Sequence, residues 1–380
     1  MSPDRPEGAP RVALVHDWLT GMRGGEKVLE ALCELYPHAP VFTMVHVPGT
    51  ESPVIARHRI RASPLSRLPG VARYYRHLLP LFPAAAETFD LDAFDLVLSS
   101  SHCAVKSAVR PGRAVHLSYC HTPMRYVWDQ REAYFGPRRL GRAGAAALRP
   151  VLAWLARWDA GTASRVDRYL ANSQHVARRI ARYYNRRADV VHPPVDTGFY
   201  RPDGRPAGDF ALAVSALAPY KRLDIAVDAC RLAGVTLRVV GWGPEEARLK
   251  AASGGSVELL GTRSDEEIRE LYRASGVVLL PGEEDFGIVP LEAQACGRPV
   301  VAAAAGGALE TVVDGVTGVL VEPGSAEAMA EGIRRALGAR FDPATLRQHA
   351  EAFGRERFKA RVAAIADETL AARASPTTTW

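Results

Sequence analysis

Two carboxylates at a fixed spacing carry the most chemistry in this sequence. Glu284 and Glu292 stand in the string Pro281-Gly-Glu-Glu-Asp-Phe-Gly-Ile-Val-Pro-Leu-Glu-Ala-Gln-Ala-Cys-Gly-Arg-Pro299. The run before it, Gly276-Val277-Val278-Leu279-Leu280, reads as a short buried parallel strand. Pro290 suits the first turn of a helix, and Gly297 followed by Pro299 suits its end. The two glutamates therefore flank a loop-to-helix junction at the carboxyl end of a strand, where open α/β sheets bind ligands. The N–H groups of Phe286, Gly287, Ile288 and Val289 are placed to meet an anion, helped by the helix dipole. Gly287 admits close approach to the backbone. A phosphate lying between two hydroxyl-bearing rings would use the amides and both carboxylates, and that is the shape of a nucleotide sugar. On the glutamates alone, a loop charge and a first-turn carboxylate account for the pair equally well.

A second basic junction faces the same way. In Ser215-Ala216-Leu217-Ala218-Pro219-Tyr220-Lys221-Arg222, the last two residues open a helix from Leu223 onward. Cations at a helix amino terminus oppose the dipole and need either full solvation or an anion, which a diphosphate would supply. Gly241-Trp242-Gly243-Pro244 and Gly261-Thr262-Arg263 follow two more expected strands, and Gly306-Gly307 makes one further glycine turn.

In the first half, residues 11–15 read as a buried strand. Residues 16–26 read as a loop containing Asp17, Gly24 and Gly25, and residues 27–35 as a helix. That is the order that opens a Rossmann-like half, although a plain turn explains Gly24-Gly25 equally well. Tyr119-Cys120-His121-Thr122-Pro123-Met124-Arg125 follows another strand and projects His121 toward the ligand end. His102, after Ser99-Ser100-Ser101, is a further candidate there.

The elements that position these groups alternate in an α/β rhythm. Strands are expected at residues 41–45, 95–99, 115–119, 168–171 and 190–192, then at 210–215, 235–240, 257–260, 277–280, 300–303 and 318–321. A helix is expected from Asn172-Ser173 to Arg187. Helical crossovers give parallel sheets covered on both faces. Residues 192–206 are rich in Pro, Gly and Asp and read as a linker between two domains. Residues 51–89 are irregular. Within them, residues 68–79 read as a helix packed on the core in preference to a membrane-surface helix. Asp90-Leu91-Asp92 reads as a structural turn and not a metal pair.

The string around Glu284 and Glu292 resembles the Glu-x7-Glu motif of retaining glycosyltransferases of family four, which have the GT-B fold. The resemblance extends over nearly the whole chain. It implies two Rossmann-like domains facing a central cleft. Residues 1–195 would form the acceptor-side domain and residues 205–351 the nucleotide-sugar domain, with a C-terminal helix at about residues 352–374 crossing back to the first. The catalytic residues it implies are His121 near the transferred sugar, Lys221 on the donor diphosphate and Glu284 on the sugar. Donor binding would involve Gly24, Gly25, Ser215, Arg222, Gly241, Phe286, Gly287, Ile288, Val289 and Glu292, the last on the ribose. Asp17, His102 and Arg125 fall on the acceptor side. The family commonly has an arginine five positions before the lysine; this chain has Ala216, so Arg222 either replaces it or the diphosphate has one clamp fewer. The resemblance implies no cofactor and no metal. The expected activity is transfer of a hexose from a nucleoside-diphosphate sugar to a glycan or lipid-linked acceptor in cell-surface polysaccharide or glycolipid synthesis. Closely similar strings in bacterial polysaccharide mannosyltransferases favour GDP-mannose. The alternatives are a GT-B sugar-nucleotide epimerase and a non-catalytic sugar-nucleotide binder.

Composition is that of a globular protein: 380 residues, 47% hydrophobic and 24% charged, with no apolar run of membrane-spanning length. Residues 1–10 lack the apolar core of a signal peptide, so a cytoplasmic location is expected. Five scattered cysteines read as buried thiols, neither a disulfide framework nor a zinc site. The net charge of +6 is uneven. From Arg138 to Arg187 there are twelve arginines, no lysine and two acids, so this segment carries +10 and the rest of the chain −4. Attraction to an anionic membrane is expected, on the inner face of the cytoplasmic membrane, and no nucleic-acid module is present. The tail, residues 375–380, is expected to be disordered.

Overall fold

The computed structural model describes residues 9–110, 113–252 and 254–374. The expected tail at residues 375–380, and most of the amino-terminal stretch read for a signal peptide, lie outside the described residues. The chain divides into two compact units, residues 1–192 with 358–380, and residues 193–357.

The first unit holds a seven-stranded sheet: β1 (Val12–Leu19), β2 (Val41–His46), β3 (Ile60–Ala62), β4 (Leu96–Ser101), β5 (Val115–Cys120), β6 (Arg168–Ala171) and β7 (Ala188–Val190). Every pairing is parallel, in the order β3-β2-β1-β4-β5-β6-β7. Its helices include α1 (Gly24–Leu35), α2 (Pro137–Gly161) and α3 (Gln174–Tyr184). The second unit has a six-stranded parallel sheet of β8 (Ala211–Val214), β9 (Leu237–Val240), β10 (Val257–Gly261), β11 (Val277–Leu280), β12 (Val300–Ala303) and β13 (Gly318–Val321), ordered β10-β9-β8-β11-β12-β13. Helices α4 (Leu223–Ala233), α5 (Asp265–Ala274) and α6 (Ile288–Ala295) follow β8, β10 and β11. Helix α7 (Arg355–Ala374) begins among residues of the second unit and from Phe358 onward belongs to the first.

Alternation along the strands splits each core into two layers, as parallel sheets covered on both faces require. In β1, Ala13 and Val15 face one layer and Leu14 the other. In β11, Val277 and Leu279 oppose Val278 and Leu280. Phe358, Val362, Ile365 and Ala366 of α7 complete the layer on the Leu14 side. Lys359 pairs with Glu34 at 3.2 Å at the edge of that layer.

Several local expectations are corrected. Strand β1 runs on to Leu19 where a loop from residue 16 was expected, because pairing with β2 continues through Leu19↔His46 and the polar His16 and Asp17 find internal partners. Helix α1 starts at Gly24, so both glycines lie in its first turn and not in a loop. Helix α3 stops at Tyr184, three residues before Arg187, where Asn185 takes a left-handed φ of 50°. Strand β7 lies two residues earlier than expected, and β3 was not anticipated. Residues 68–79 pack Val71, Tyr75 and Leu79 into the core as read, but as a single α turn, Val71–Tyr74, followed by a 3-10 stretch, Tyr75–Leu81, and not as one helix. Asp92 donates its N–H to Asp90 Oδ1 at 3.4 Å in a turn that buries Leu91. The segment after His192 folds with the second unit: Tyr200 is buried there, and Arg298 bonds the carbonyls of Arg205 and Pro206. All five cysteines are free and buried.

Candidate active site

In both sheets the strand order reverses beside the first strand, between β1 and β4 and between β8 and β11. Crevices at such switch points, at the carboxyl ends of the strands, are where α/β sheets hold ligands. The candidate residues fall at these two points.

In the second unit, the loops after β8 and β11 touch. A Cβ on Gly282 would sit 2.6 Å from the carbonyl oxygen of Tyr220 and 2.8 Å from Lys221, so only glycine admits this approach. The approach brings Lys221 against Glu284, and the ammonium and carboxylate form an ion pair. Gly306 and Gly307 back the same loop from β12. Gly307 donates its N–H to the carbonyl of Glu284 at 2.9 Å, and a Cβ there would lie 2.2 Å from the backbone of Phe286. Phe286 turns its ring inward against Leu291 and Val195, leaving the main chain to form the mouth of the helix. Gly287, with φ of 83°, is the N-cap of α6. The first N–H groups of α6 have no carbonyl inside the helix to bond.

Glu292 lies one turn further along α6 and is only 5% exposed. It accepts a hydrogen bond from the Tyr272 hydroxyl at 3.0 Å, a partner carried by α5 that no motif announced. Burial first, then the charge of Glu292, pushes the Tyr272 hydroxyl well above its ordinary pKa, so it stays a donor. Ser215 and Gly241 also come together. A Cβ on Gly241 would be 1.9 Å from the carbonyl oxygen of Ser215, and the φ of 135° suits glycine.

The two basic residues before α4 do not wait for an external anion. Arg222 adopts φ 52° as the N-cap of α4, and its Nε lies 3.1 Å from Asp224 Oδ1 in the first turn. Burial raises the Asp224 carboxyl, but the Arg222 hydrogen bond and charge outweigh it, and the net pKa is lowered. Lys221 has Glu284. The protein's own carboxylates thus meet the electrostatic requirement that the sequence assigned to a diphosphate.

In the first unit, three imidazoles gather beside the β1–β4 switch point. His16 Nδ1 lies 3.1 Å from Ser100 Oγ, and that hydroxyl lies 2.8 Å from His121 Nε2. His121 is held through its main chain: its N–H donates to Ser101 at 2.8 Å, and its carbonyl accepts from the Asn172 side chain at 2.9 Å. A Cβ on Gly25 would stand 3.5 Å from His16 and 3.7 Å from His121, so this glycine keeps space open before both rings. Gly24 has nothing within 4 Å of such a position. Burial, followed by the neighbouring His102, lowers the His16 pKa to about 3, so it is a neutral hydrogen-bonder.

Asp17, expected on the acceptor side, is fully buried. Its carboxylate accepts N–H groups from His102, Cys103, Ala104 and Val105 at 2.6–3.1 Å, which clamps the turn after β4. It orients His102, whose Nδ1 is 3.2 Å from Asp17 Oδ2 and whose ring stands edge-on to Trp18 at 4.4 Å. Arg125 lies close enough for its charge to help lower the pKa of His102, second to burial. Ser100 and His16 were visible in quoted strings but had no assigned role. Their signal was position alone, at the carboxyl ends of the two central strands.

Comparison with known proteins accords with this geometry. The family model described as Glycosyltransferase Family 4 matches residues 22–199, and the model described as Glycosyl transferases group 1 matches residues 204–357. In chain order they account for both units. The chain belongs to glycosyltransferase family four. The family-four chain is 37% identical over 181 residues to the D-inositol 3-phosphate glycosyltransferases of Mycobacterium tuberculosis and Mycobacterium bovis. That match covers 41% of this chain and only 38% of the length of those relatives. Among solved structures, Anabaena HepE, in complex with UDP and glucose, matches 94% of this chain and 99% of its own, with TM-score 0.69 and 22% identity. Sucrose-phosphate synthase of Thermosynechococcus elongatus matches 95% and 100%, with TM-score 0.69 and 20% identity. At these identities the likeness concerns the fold, GT-B.

Proposed function

We propose that this family-four protein transfers a hexose, with retention, from a nucleoside-diphosphate sugar to a hydroxyl of a glycan or lipid-linked acceptor. The observation that carries the reading is Lys221 held against Glu284 at the β8–β11 switch point, beside the amino terminus of α6. An entering diphosphate competes with Glu284 for Lys221. The exchange gives the phosphate a cation and frees the carboxylate for a hydroxyl of the sugar. Negative charge grows on the leaving diphosphate, where Lys221, Arg222 and the N–H groups of Gly287, Ile288 and Val289 lower the barrier. Glu292, oriented by Tyr272, grips the ribose. His121, held by Ser100, serves the transferred sugar. Because protein groups meet the diphosphate charge, turnover needs no divalent metal, and chelator treatment should leave it unchanged.

The resemblance to mannosyltransferases favours GDP-mannose, while Anabaena HepE is seen with UDP. A thermal-shift screen with GDP, UDP, ADP and their sugars decides between them. A ligand at 100 times its dissociation constant adds about 2.7 kcal/mol. No shift with any nucleoside diphosphate would sink the proposal. A shift without slow donor hydrolysis or transfer would leave a binder and not an enzyme.

A further inference from the structure

The transfer reading leaves the +10 segment without a use, and helix α2 is where that excess is organised. A φ of 71° at Gly141 interrupts the helix, which then continues to Gly161 with Pro150 inside it. Leu152, Leu155 and Asp159 point inward, with Leu148 and Val151 packed beside them. On the opposite side Arg142, Ala146, Arg149, Ala153, Trp154 and Arg157 are exposed. At 3.6 residues per turn they fall within an arc of about 140° and along about 22 Å of helix.

This face differs from the rest of the basic segment. Arg165 pairs with Glu87, Arg168 with Asp189 and Glu368, and Arg179 with Asp129. Arg142, Arg149 and Arg157 have no ion pair among the described residues. The one acid of α2, Asp159, is buried and engaged by Lys106, Trp128 and Tyr184. Helix α3 contains no acid, and its Arg178 and Arg182 are exposed as well. The face therefore offers cations with no competing carboxylate on either helix. Between them lie small apolar residues and an indole that is 43% exposed.

We propose that α2 docks the first unit onto an anionic phospholipid surface. The arginines lie among headgroup phosphates, and Trp154 sits at the headgroup boundary, where an amphipathic ring is most stable. A nucleic acid would also meet the charge. Apart from the Trp154 N–H, however, the outward side of α2 has no uncharged hydrogen-bonding side chain to contact sugars or bases, whereas alanines and an indole suit a lipid interface. This inference is independent of the transfer reading.

Co-sedimentation of the full chain with vesicles tests it. Binding is expected to phosphatidylglycerol–phosphatidylcholine vesicles and not to phosphatidylcholine alone, and high salt should weaken it. Replacing Arg142, Arg149 and Arg157 together by Gln should cut partitioning roughly 100-fold, the cumulative effect of three surface cations. Trp154→Ser should weaken binding while its salt dependence persists. Thermal melting of the variants should match the parent, since the altered residues point outward. Equal binding to neutral vesicles, a triple variant that sediments like the parent, or duplex DNA or RNA that displaces the protein from vesicles would each overturn the proposal.

Discussion

At the scale of single residues, three charged groups in the second unit predict three kinetic signatures. If Lys221 stabilises charge that develops on the leaving diphosphate, Lys221→Ala should lower kcat by roughly 10²–10³. If Glu284 attends the sugar whose charge changes, Glu284→Gln should also depress kcat, while affinity for the free nucleoside diphosphate should rise, because the carboxylate that competes with it for Lys221 is gone. If Glu292 grips the ribose, which does not react, Glu292→Gln should act mainly on donor KM, raising it about 10- to 150-fold for a charged hydrogen bond. The Tyr272–Glu292 bond adds a milder version of the same test. Tyr272→Phe removes a hydrogen bond worth about 0.5–1.5 kcal/mol and should raise donor KM by about 2- to 12-fold with kcat little changed. Steady-state kinetics on folded variants check all four. If neither glutamate variant changes kcat or KM, the pair is structural.

At the scale of elements, glycines decide how closely the loops approach. Gly282 admits the Tyr220–Lys221 turn, and Gly306-Gly307 admits the Glu284–Phe286 loop. In Gly282→Ala and Gly307→Ala the new methyl would meet main-chain atoms at 2.2–2.8 Å, so the loop and not a side chain must move. Both variants should lose donor binding and melt at lower temperature. Gly24→Ala, whose Cβ meets nothing within 4 Å, should melt like wild type. Calorimetry and nucleotide titration test this contrast. A Gly307→Ala protein with normal binding would show that the loops adjust freely.

For the whole molecule, burial of titratable groups links stability to pH. His16 and His116 are fully buried, and burial foremost lowers their pKa values to about 3 and about 4 from 6.5. Each binds a proton on unfolding, so the stability it contributes is complete above pH 6.5 and lost as pH falls toward those values. Glu26 has the opposite sign. Burial foremost raises it from 4.5 to about 7, so it releases a proton on unfolding and costs stability as pH rises through that window. Between about pH 5 and 6 these three groups contribute a net uptake of one proton, about 1.4 kcal/mol per pH unit, and His102, lowered to about 3, adds a further uptake in the same direction, so stability falls toward acid. Glu26→Gln should steepen the slope by about one proton. Denaturant unfolding across this range measures it, and a flat profile in both proteins would contradict the assignment.

The sequence by itself determined what local pattern can encode. Short apolar runs bounded by glycine and proline located β11, β12 and β13 to the residue, because four β-rich apolar residues between such breakers are too few for a helix and suit a strand buried on both faces. The string around Glu284 and Glu292 identified the family, and the junction at α6 followed from its proline and glycine. Where polar residues are buried the local signal misled. His16 and Asp17 looked like the start of a loop, yet they continue β1, because Ser100 meets His16 Nδ1 and the amides of residues 102–105 satisfy the Asp17 carboxylate. Partners from distant segments are likewise invisible to a linear reading. Tyr272 reaches Glu292 from another helix, Glu284 and not an external phosphate neutralises Lys221, and Asp224 does so for Arg222. The exposed side of α2 belongs to the same class. The sequence counted its arginines, but only packing of Leu152, Leu155 and Asp159 into the core determined that Arg142, Arg149 and Arg157 lie outside.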